Sequence, residues 1–363
     1  MQKTYTIFQI TEDFTEKNYG VTTSIKEINK FVNSYYNVRV LHFNNNLPWK
    51  FSLHLKRELT SNIASYKKLL VHIHGIWQYS QYIGAKIAIK YKKPFIVSPH
   101  GMLEPWLMDK KNIGTIKYLK KNLYLKFIAL SVFKKANFIH AITPLEKKNL
   151  EKYFDKDKIV VIPNAINVEE IKKYVKVPTK NLEKRILFIG RLHPIKGVDI
   201  LIKAFIEGKF YNEGWELWIV GPEEVPKYVK FLRGLSKGFK KYIKFKPPVF
   251  DLKEKFNLYN KSWITVVPSH SEVIGMVNLE SASCYTPTIT TYETGLLNWE
   301  EGGNLLIRPD VESMIKSLKI ALQWDLEKRI KLGKKAYNFV KDNFSEKVVS
   351  NMWKDFYEEV FNV

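Results

Sequence analysis

"FIGRLHPIKGVDILIKAF", residues 188–205, holds the junction that decides how this 363-residue chain folds. An apolar run ends at Gly190, Arg191 and Lys196 follow five residues apart, and Gly197 opens a segment with apolar residues at helical spacing. That is a strand feeding a helix through a basic, glycine-bearing turn. A guanidinium grips oxygens in a planar fork and an ammonium adds a point charge, so this pair suits a diphosphate at a strand's carboxyl end. For an isolated pair of this spacing, a solvated basic turn is the better account. The surrounding sequence has to choose.

Around this junction, short β-branched or aromatic runs alternate with amphipathic, lysine-rich segments. One set reads as strands at 5–10, 38–43, 68–75, 94–101, 138–144 and 159–166; a second set follows at 185–192, 216–222, 242–249, 263–269, 286–291 and 303–307. Helical patterns such as 22–36 and 84–93 fall between them. Near-continuous apolar strands separated by helices make parallel sheets covered on both faces. The fold class is therefore α/β, with two Rossmann-like, doubly wound domains. In such sheets ligands bind beyond the strand carboxyl ends, so a cleft between two facing domains is the expected site. The boundaries expected are 1–166 for the N-terminal domain, 167–184 for a polar linker and 185–344 for the C-terminal domain. The segment 345–363 reads as an amphipathic helix, opened by Ser345, that packs back on the first domain.

Composition narrows the classes. The chain is 45% hydrophobic and 14% aromatic, which excludes disorder. Its net charge is +23, of which residues 1–180 carry 31 basic against 13 acidic side chains. The N-terminal half thus meets an anionic partner. Nucleic acid is disfavoured, because no zinc-finger spacing or RNP-like aromatic motif occurs and the basic residues are spread over helices. The one cysteine, Cys284, forms no internal disulfide and suits a reducing compartment. "MQKTYTIFQI" lacks the apolar core of a signal peptide, and runs such as "FIALSVF" (127–133) are too short to span a membrane. A cytoplasmic protein, peripheral on the inner face of the plasma membrane, is the expectation. The segment 106–138 bears eight lysines and one acid among apolar positions at helical spacing, which fits either anionic lipid or plain solvent.

"HSEVIGMVNLESASCYTPTIT" (270–290) adds two glutamates, Glu272 and Glu280, with seven residues between them. With "GRLHPIKG" about 75 residues upstream, and "LWIVGP" between, the chain resembles the retaining GT-B glycosyltransferases of family 4. The resemblance implies a nucleoside-diphosphate-sugar donor (UDP or GDP), a glycan acceptor of lipid-linked or lipopolysaccharide type, and no further cofactor. It implies that Arg191 and Lys196 stabilise the departing diphosphate in place of a metal; "DKD" (155–157) reads as a charged turn. Glu272 would serve the donor sugar and the cationic transition state, and Glu280 the ribose hydroxyls. Backbone amides of Ile274, Gly275 and Met276 would reach sugar or phosphate oxygens, and Val249 would lie by the nucleotide. Val273 stands where the family usually has glycine. In the N-terminal half, "NYGVTTSI" (18–25) resembles the family's glycine-bearing loop, which implies backbone amides at Gly20 on the donor phosphates or near the acceptor; read from the residues alone, Gly20 is equally an ordinary turn glycine before a helix. "SPHGMLEPW" (98–106) resembles enzymes of bacterial surface polysaccharides, with His100 ending a strand beside the reacting sugar. His72 and His74 share a strand face and read as packing rather than metal ligands. Glu146 reads as a helix-starting acid. Rival readings are a small soluble acceptor or a sugar-nucleotide epimerase; a phosphorylase needs a longer chain.

Overall fold

The computed structural model describes residues 5–14, 19–42, 47–180 and 182–362. The chain divides into two compact units, Met1–Ala165 with Lys347–Val363, and Ile166–Glu346.

The first unit is a six-stranded sheet, ordered β2-β1-β3-β4-β5-β6. Its strands are β1 Thr6–Thr11, β2 Asn37–His42, β3 Leu69–His74, β4 Phe95–Ser98, β5 Phe138–Ala141 and β6 Ile159–Val161, and every pairing is parallel. β1, β3 and β4 are buried along their whole length, as parallel strands covered on both faces must be. β2 lies at an edge and alternates in exposure. One face packs Phe8, Ile10, Val71, Ile73 and Val97 against helices including Tyr79–Lys90. The opposite face packs Ile7, Leu70 and Ile96 against the helix Tyr19–Val32 and the C-terminal helix Glu346–Asn362. The latter buries Val349, Trp353, Phe356, Tyr357 and Val360, one stripe at i, i+4, i+7, i+8 and i+11. Residues from the far end of the chain thus complete the first core, as the amphipathic pattern at 345–363 implied.

The second unit is also six-stranded and parallel, ordered β12-β11-β10-β7-β8-β9. Its strands are β7 Glu183–Ile189, β8 Glu216–Val220, β9 Ile243–Lys246, β10 Ser262–Val267, β11 Thr288–Thr291 and β12 Leu305–Ile307. Counted within the unit this is 3-2-1-4-5-6, the Rossmann order, whose reversal lies between β7 and β10. Beneath the sheet the fully buried Arg329 donates to the carbonyls of Ser262, Trp263 and Tyr285, so cation and backbone oxygens satisfy one another.

Each of the twelve expected strands is present, with ends trimmed or shifted by a few residues. β4 stops at Ser98 instead of running to 101, because His100 and Gly101 turn the chain with φ of 51° and 72°. β7 stops one residue before Gly190. The segment 167–184, expected as a linker, lies within the second unit: Val168–Lys172 is helical and Asn260 Nδ2 donates to the carbonyl of Lys176. Gly20, expected in a loop, is the second residue of the helix Tyr19–Val32, and a side chain there would meet open space. Asn18 lies outside the described residues.

Candidate active site

In the second unit the decisive loops follow β7 and β10, the strands flanking the order reversal. The loop after β7 closes in a short 3₁₀ turn, Pro194–Lys196, and Gly197 takes the left-handed conformation (φ 61°) to start the helix Val198–Glu207. A Cβ at Gly197 would sit 2.1 Å from the carbonyl oxygen of Pro268, so only glycine allows the two loops this approach. The amide of His270 then donates to the carbonyl of Ile195 (2.8 Å), tying the loop after β10 to the loop after β7.

That contact brings together two charges separated by most of a domain in sequence. Lys196 Nζ lies 3.0 Å from Glu272 Oε1, both side chains mostly buried. Ser269 Oγ donates to the same oxygen at 2.5 Å, and the amide of Glu272 is held by the carbonyl of Glu293 (2.9 Å). Glu272 is thus clamped through one oxygen, while its Oε2 takes no bond from any described group. Sequence reasoning missed Glu293. Its buried Oε2 has no hydrogen-bond partner among the described residues, and burial raises its pKa. Arg191 is exposed and gives both hydrogen bonds of one guanidinium nitrogen to Glu224, at 2.6 and 2.7 Å. An exposed pair of this kind is worth about 0–1 kcal/mol, so an incoming phosphate competes with it easily.

Val273 is not in the left-handed region, so this loop's path requires no glycine there. Of the three amides expected to face a donor, two are spent within the unit: Gly275 donates to Thr294 and Met276 to Ile274. The amide of Ile274 has no described acceptor. Glu280 lies in the helix Met276–Ser283 and is not part of the Lys196–Glu272 cluster. It accepts from Lys255 Nζ (2.6 Å) on one oxygen and Tyr259 Oη (2.9 Å) on the other, partners the sequence did not reveal. Each oxygen keeps a second lone pair, so a vicinal diol still finds two acceptors. Val249 follows β9 and lines a cavity of about 630 Å³ with Trp218, Lys246 and Arg185, whose guanidinium stacks 3.6 Å from the Trp218 ring. It is separate from Arg191 and Lys196, neither of which lines that cavity.

In the first unit, His100 follows β4 in its left-handed turn, and Nε2 lies 2.8 Å from His74 Nδ1. Glu146 does more than start a helix. It is almost fully buried, and its two oxygens accept from the amides of Gly101 and Ile142, each at 2.7 Å, fastening the His100–Gly101 turn to the end of β5. Burial raises its pKa to about 7 against the pull of those amides. Glu104, buried and near it, is raised to about 7 by burial and by the Glu146 charge. His72, His74 and His140 are also buried and use both ring nitrogens in hydrogen bonds, so they are not a ligand set.

Comparison with known proteins bears on both units. Residues 18–170 match the family described as "Glycosyltransferase Family 4", and residues 183–323 match "Glycosyl transferases group 1". The chain belongs with the family 4 glycosyltransferases. An uncharacterized glycosyltransferase of Methanocaldococcus jannaschii is 29% identical over 77% of this chain and 72% of its own length. A D-inositol 3-phosphate glycosyltransferase of Acidothermus cellulolyticus is 35% identical over 31% of this chain, and a probable sucrose-phosphate synthase of Thermosipho melanesiensis is 28% identical over 58%. Those alignments span 26% and 52% of the relatives' own lengths. Among solved structures, a glycosyltransferase of Rickettsia africae superposes with a TM-score of 0.79 at 18% identity, covering 98% of both chains. Anabaena HepE, solved with UDP and glucose, gives 0.71 at 16% identity over 98% of this chain and 100% of its own. At these identities the likeness establishes the two-domain GT-B fold.

Two predictions arise here. Gly197→Ala forces the loops after β7 and β10 apart, and urea denaturation should show a loss of about 1–3 kcal/mol in the second unit. The second concerns acid. In the first unit four imidazoles have depressed pKa values: His72 and His74 well below 6.5, His140 at about 4 and His100 at about 3, burial being the leading cause for each. Their stabilisation is present above pH 6.5 and lost as pH falls toward 4. The raised Glu104 and Glu146 act oppositely, gaining stability as pH falls from about 7 to 4.5. Four imidazoles outweigh two carboxyls, so between pH 6.5 and 4.5 unfolding takes up protons and stability falls with pH. Urea midpoints measured from pH 7 to 4 should fall, and a flat profile would contradict the buried neutral imidazoles.

Proposed function

We propose that this protein transfers a sugar, with retention of anomeric configuration, from a nucleoside-diphosphate sugar to a glycan acceptor. The observation that carries the reading is the Lys196–Glu272 pair at the order reversal of the second sheet. A cation and a carboxylate side by side suit the two ends of a breaking glycosyl–phosphate bond. Positive charge grows on the sugar carbon near Glu272, and negative charge on the departing diphosphate near Lys196 and Arg191. The two side-chain cations supply the charge stabilisation that a metal supplies in other transferases. Glu280, with its two oxygens aligned by Lys255 and Tyr259, fits the ribose diol. The leaving phosphate itself takes the acceptor's proton, so the mechanism needs no separate base. That a structural neighbour was solved with UDP and glucose supports a uridine nucleotide as the first donor to try.

For the acceptor we propose a lipid-linked or lipopolysaccharide-type oligosaccharide reached from the inner membrane face. Ile116, Leu119, Leu123 and Phe127 are each more than half exposed, at i, i+3, i+7 and i+11 along the helix Thr115–Tyr124 and the π turn after it. Exposed Lys117, Lys120 and Lys126 accompany them. An apolar stripe in water flanked by cations is the pattern of a helix lying in an anionic interface. No described helix is long and apolar enough to cross a membrane. A second reading, transfer to a small soluble acceptor, is favoured by the relatives named for inositol phosphate and sucrose phosphate.

A panel of UDP- and GDP-sugars, screened for thermal stabilisation and slow hydrolysis, should yield one donor. Lys196→Ala and Glu272→Gln should each lower turnover of that donor by about 10²–10³ at unchanged folding. Full activity in both variants would sink the site. Co-sedimentation with phosphatidylglycerol vesicles should show binding that weakens with salt and is lost in the Leu119→Asp, Phe127→Asp double variant. Absence of binding at low salt would favour the soluble acceptor.

A further inference from the structure

Gln9 on β1, His72 and His74 on β3, Ser98 on β4 and His140 on β5 all point to the sheet face that the C-terminal helix covers. Register explains their meeting: Gln9 is opposite His72, and His74 is opposite Ser98. With Tyr357 from the C-terminal helix they form one unbroken hydrogen-bonded row. All six are buried, whereas His100, at the end of the row, is partly exposed.

The direction of every bond in that row follows from its other end. His140 Nε2 lies 2.8 Å from the carbonyl oxygen of Ile162, which only accepts, so Nε2 carries the proton. Neutral His140 then has a bare Nδ1, which accepts from the Ser98 hydroxyl at 2.8 Å. With its proton committed, Ser98 Oγ accepts from His72 Nε2 at 2.7 Å. His72 Nδ1 is therefore bare and accepts from the Tyr357 hydroxyl at 2.7 Å. Tyr357 Oη accepts from Gln9 Nε2 at 3.2 Å, which fixes the orientation of the Gln9 amide. Gln9 Oε1 accepts from His74 Nε2, and His74 Nδ1 accepts from His100 Nε2 at 2.8 Å. Seven bonds point one way, and the row ends in a bare nitrogen, His100 Nδ1, which bonds no described group.

We propose that Gln9, His72, His74, Ser98, His140 and Tyr357 are positioning residues that hold His100 as the neutral Nε2–H tautomer, presenting Nδ1 as an obligate hydrogen-bond acceptor. The matching ligand group is a hydroxyl donor. A carbonyl or phosphate oxygen, which only accepts, is rejected at that nitrogen. Charging His74 would place its Nδ1–H against His100 Nε2–H, so the row requires a neutral His74, while burial lowers the pKa of His100 itself. Glu146 fixes the backbone beside His100, and the row fixes its proton. That the hydroxyl belongs to a sugar rests on the transferase reading; the tautomer does not.

The test uses the full chain with ¹⁵N-labelled histidine, with the His100 signals assigned by His100→Gln. Long-range ¹H–¹⁵N spectra at pH 7 distinguish a protonated ring nitrogen from a bare one. The native protein should show His100 with Nε2 protonated and Nδ1 bare; the opposite tautomer, a mixture or an imidazolium would overturn the proposal. Tyr357→Phe frees the Gln9 amide to flip, and Ser98→Ala disconnects the row from the Ile162 carbonyl. Each should convert His100 to a mixture of tautomers. Two breaks at different points guard against one variant failing to fold, and an unchanged tautomer in either folded variant would show that the row does not set it. With a donor in hand, the same variants should lose about tenfold in kcat/KM, the worth of one hydrogen bond. If the spectra agree while no nucleotide sugar binds, the transferase reading fails and the row stands.

Discussion

The close approach of Gly197 to the carbonyl of Pro268 is the constraint on which the second unit's chemistry depends. Parallel strands buried on both faces leave their loops at one edge, and reversal of strand order between β7 and β10 sends the connecting helices to opposite sides. The loops after these strands are therefore free of a covering helix and can meet. How closely they meet is set by a missing Cβ: any side chain at residue 197 would collide with backbone that cannot yield. Because the loops touch, Lys196 reaches Glu272, and Ser269 and the Glu293 carbonyl hold that carboxylate in place. A weaker arrangement surrounds Arg191, whose exposed partner Glu224 gives way to solvent or ligand.

The first unit solves a different problem with the same sheet geometry. Polar side chains on buried strands would ordinarily cost stability, since each unpaired group loses its water. Here five of them share one face and one row, and a tyrosine from the chain's far end closes the gap between β1 and β3. Burial keeps the imidazoles neutral, and neutrality permits a single direction of donation. The cost of burying them is offset by complete pairing, which makes the row sensitive to acid and intolerant of partial loss.

Much of this was legible in the sequence. Strand–helix alternation and its restart near residue 185 give the two sheets, and the pattern of "GRLHPIKG" with Glu272 picks out the two loops that meet at Lys196 and Glu272. Other features were hidden for identifiable reasons. His100 reads as the end of a strand because "PFIVSPHG" is apolar and β-branched up to Ser98, and a left-handed turn at a histidine leaves no local mark. Glu146 reads as a helix-starting acid because its partners, the amides of Gly101 and Ile142, carry no side-chain signature. Gln9 and His140 gave a faint signal, as lone polar residues inside apolar strands, but nothing in "YTIFQI" or "FIHAITP" says that they share a row. Lys255 and Tyr259 reach Glu280 across a helix packing that periodicity cannot register.

The sequence by itself determined which segments are strands, which are helices and which turns carry charge, because those properties depend on side-chain size, branching and spacing within a few residues. Only the tertiary structure decided which charges meet, which carbonyls orient which protons and which nitrogen of His100 is left bare. Those outcomes depend on strand order and register, which bring residues hundreds of positions apart within hydrogen-bonding distance, as Gln9 and Tyr357 show.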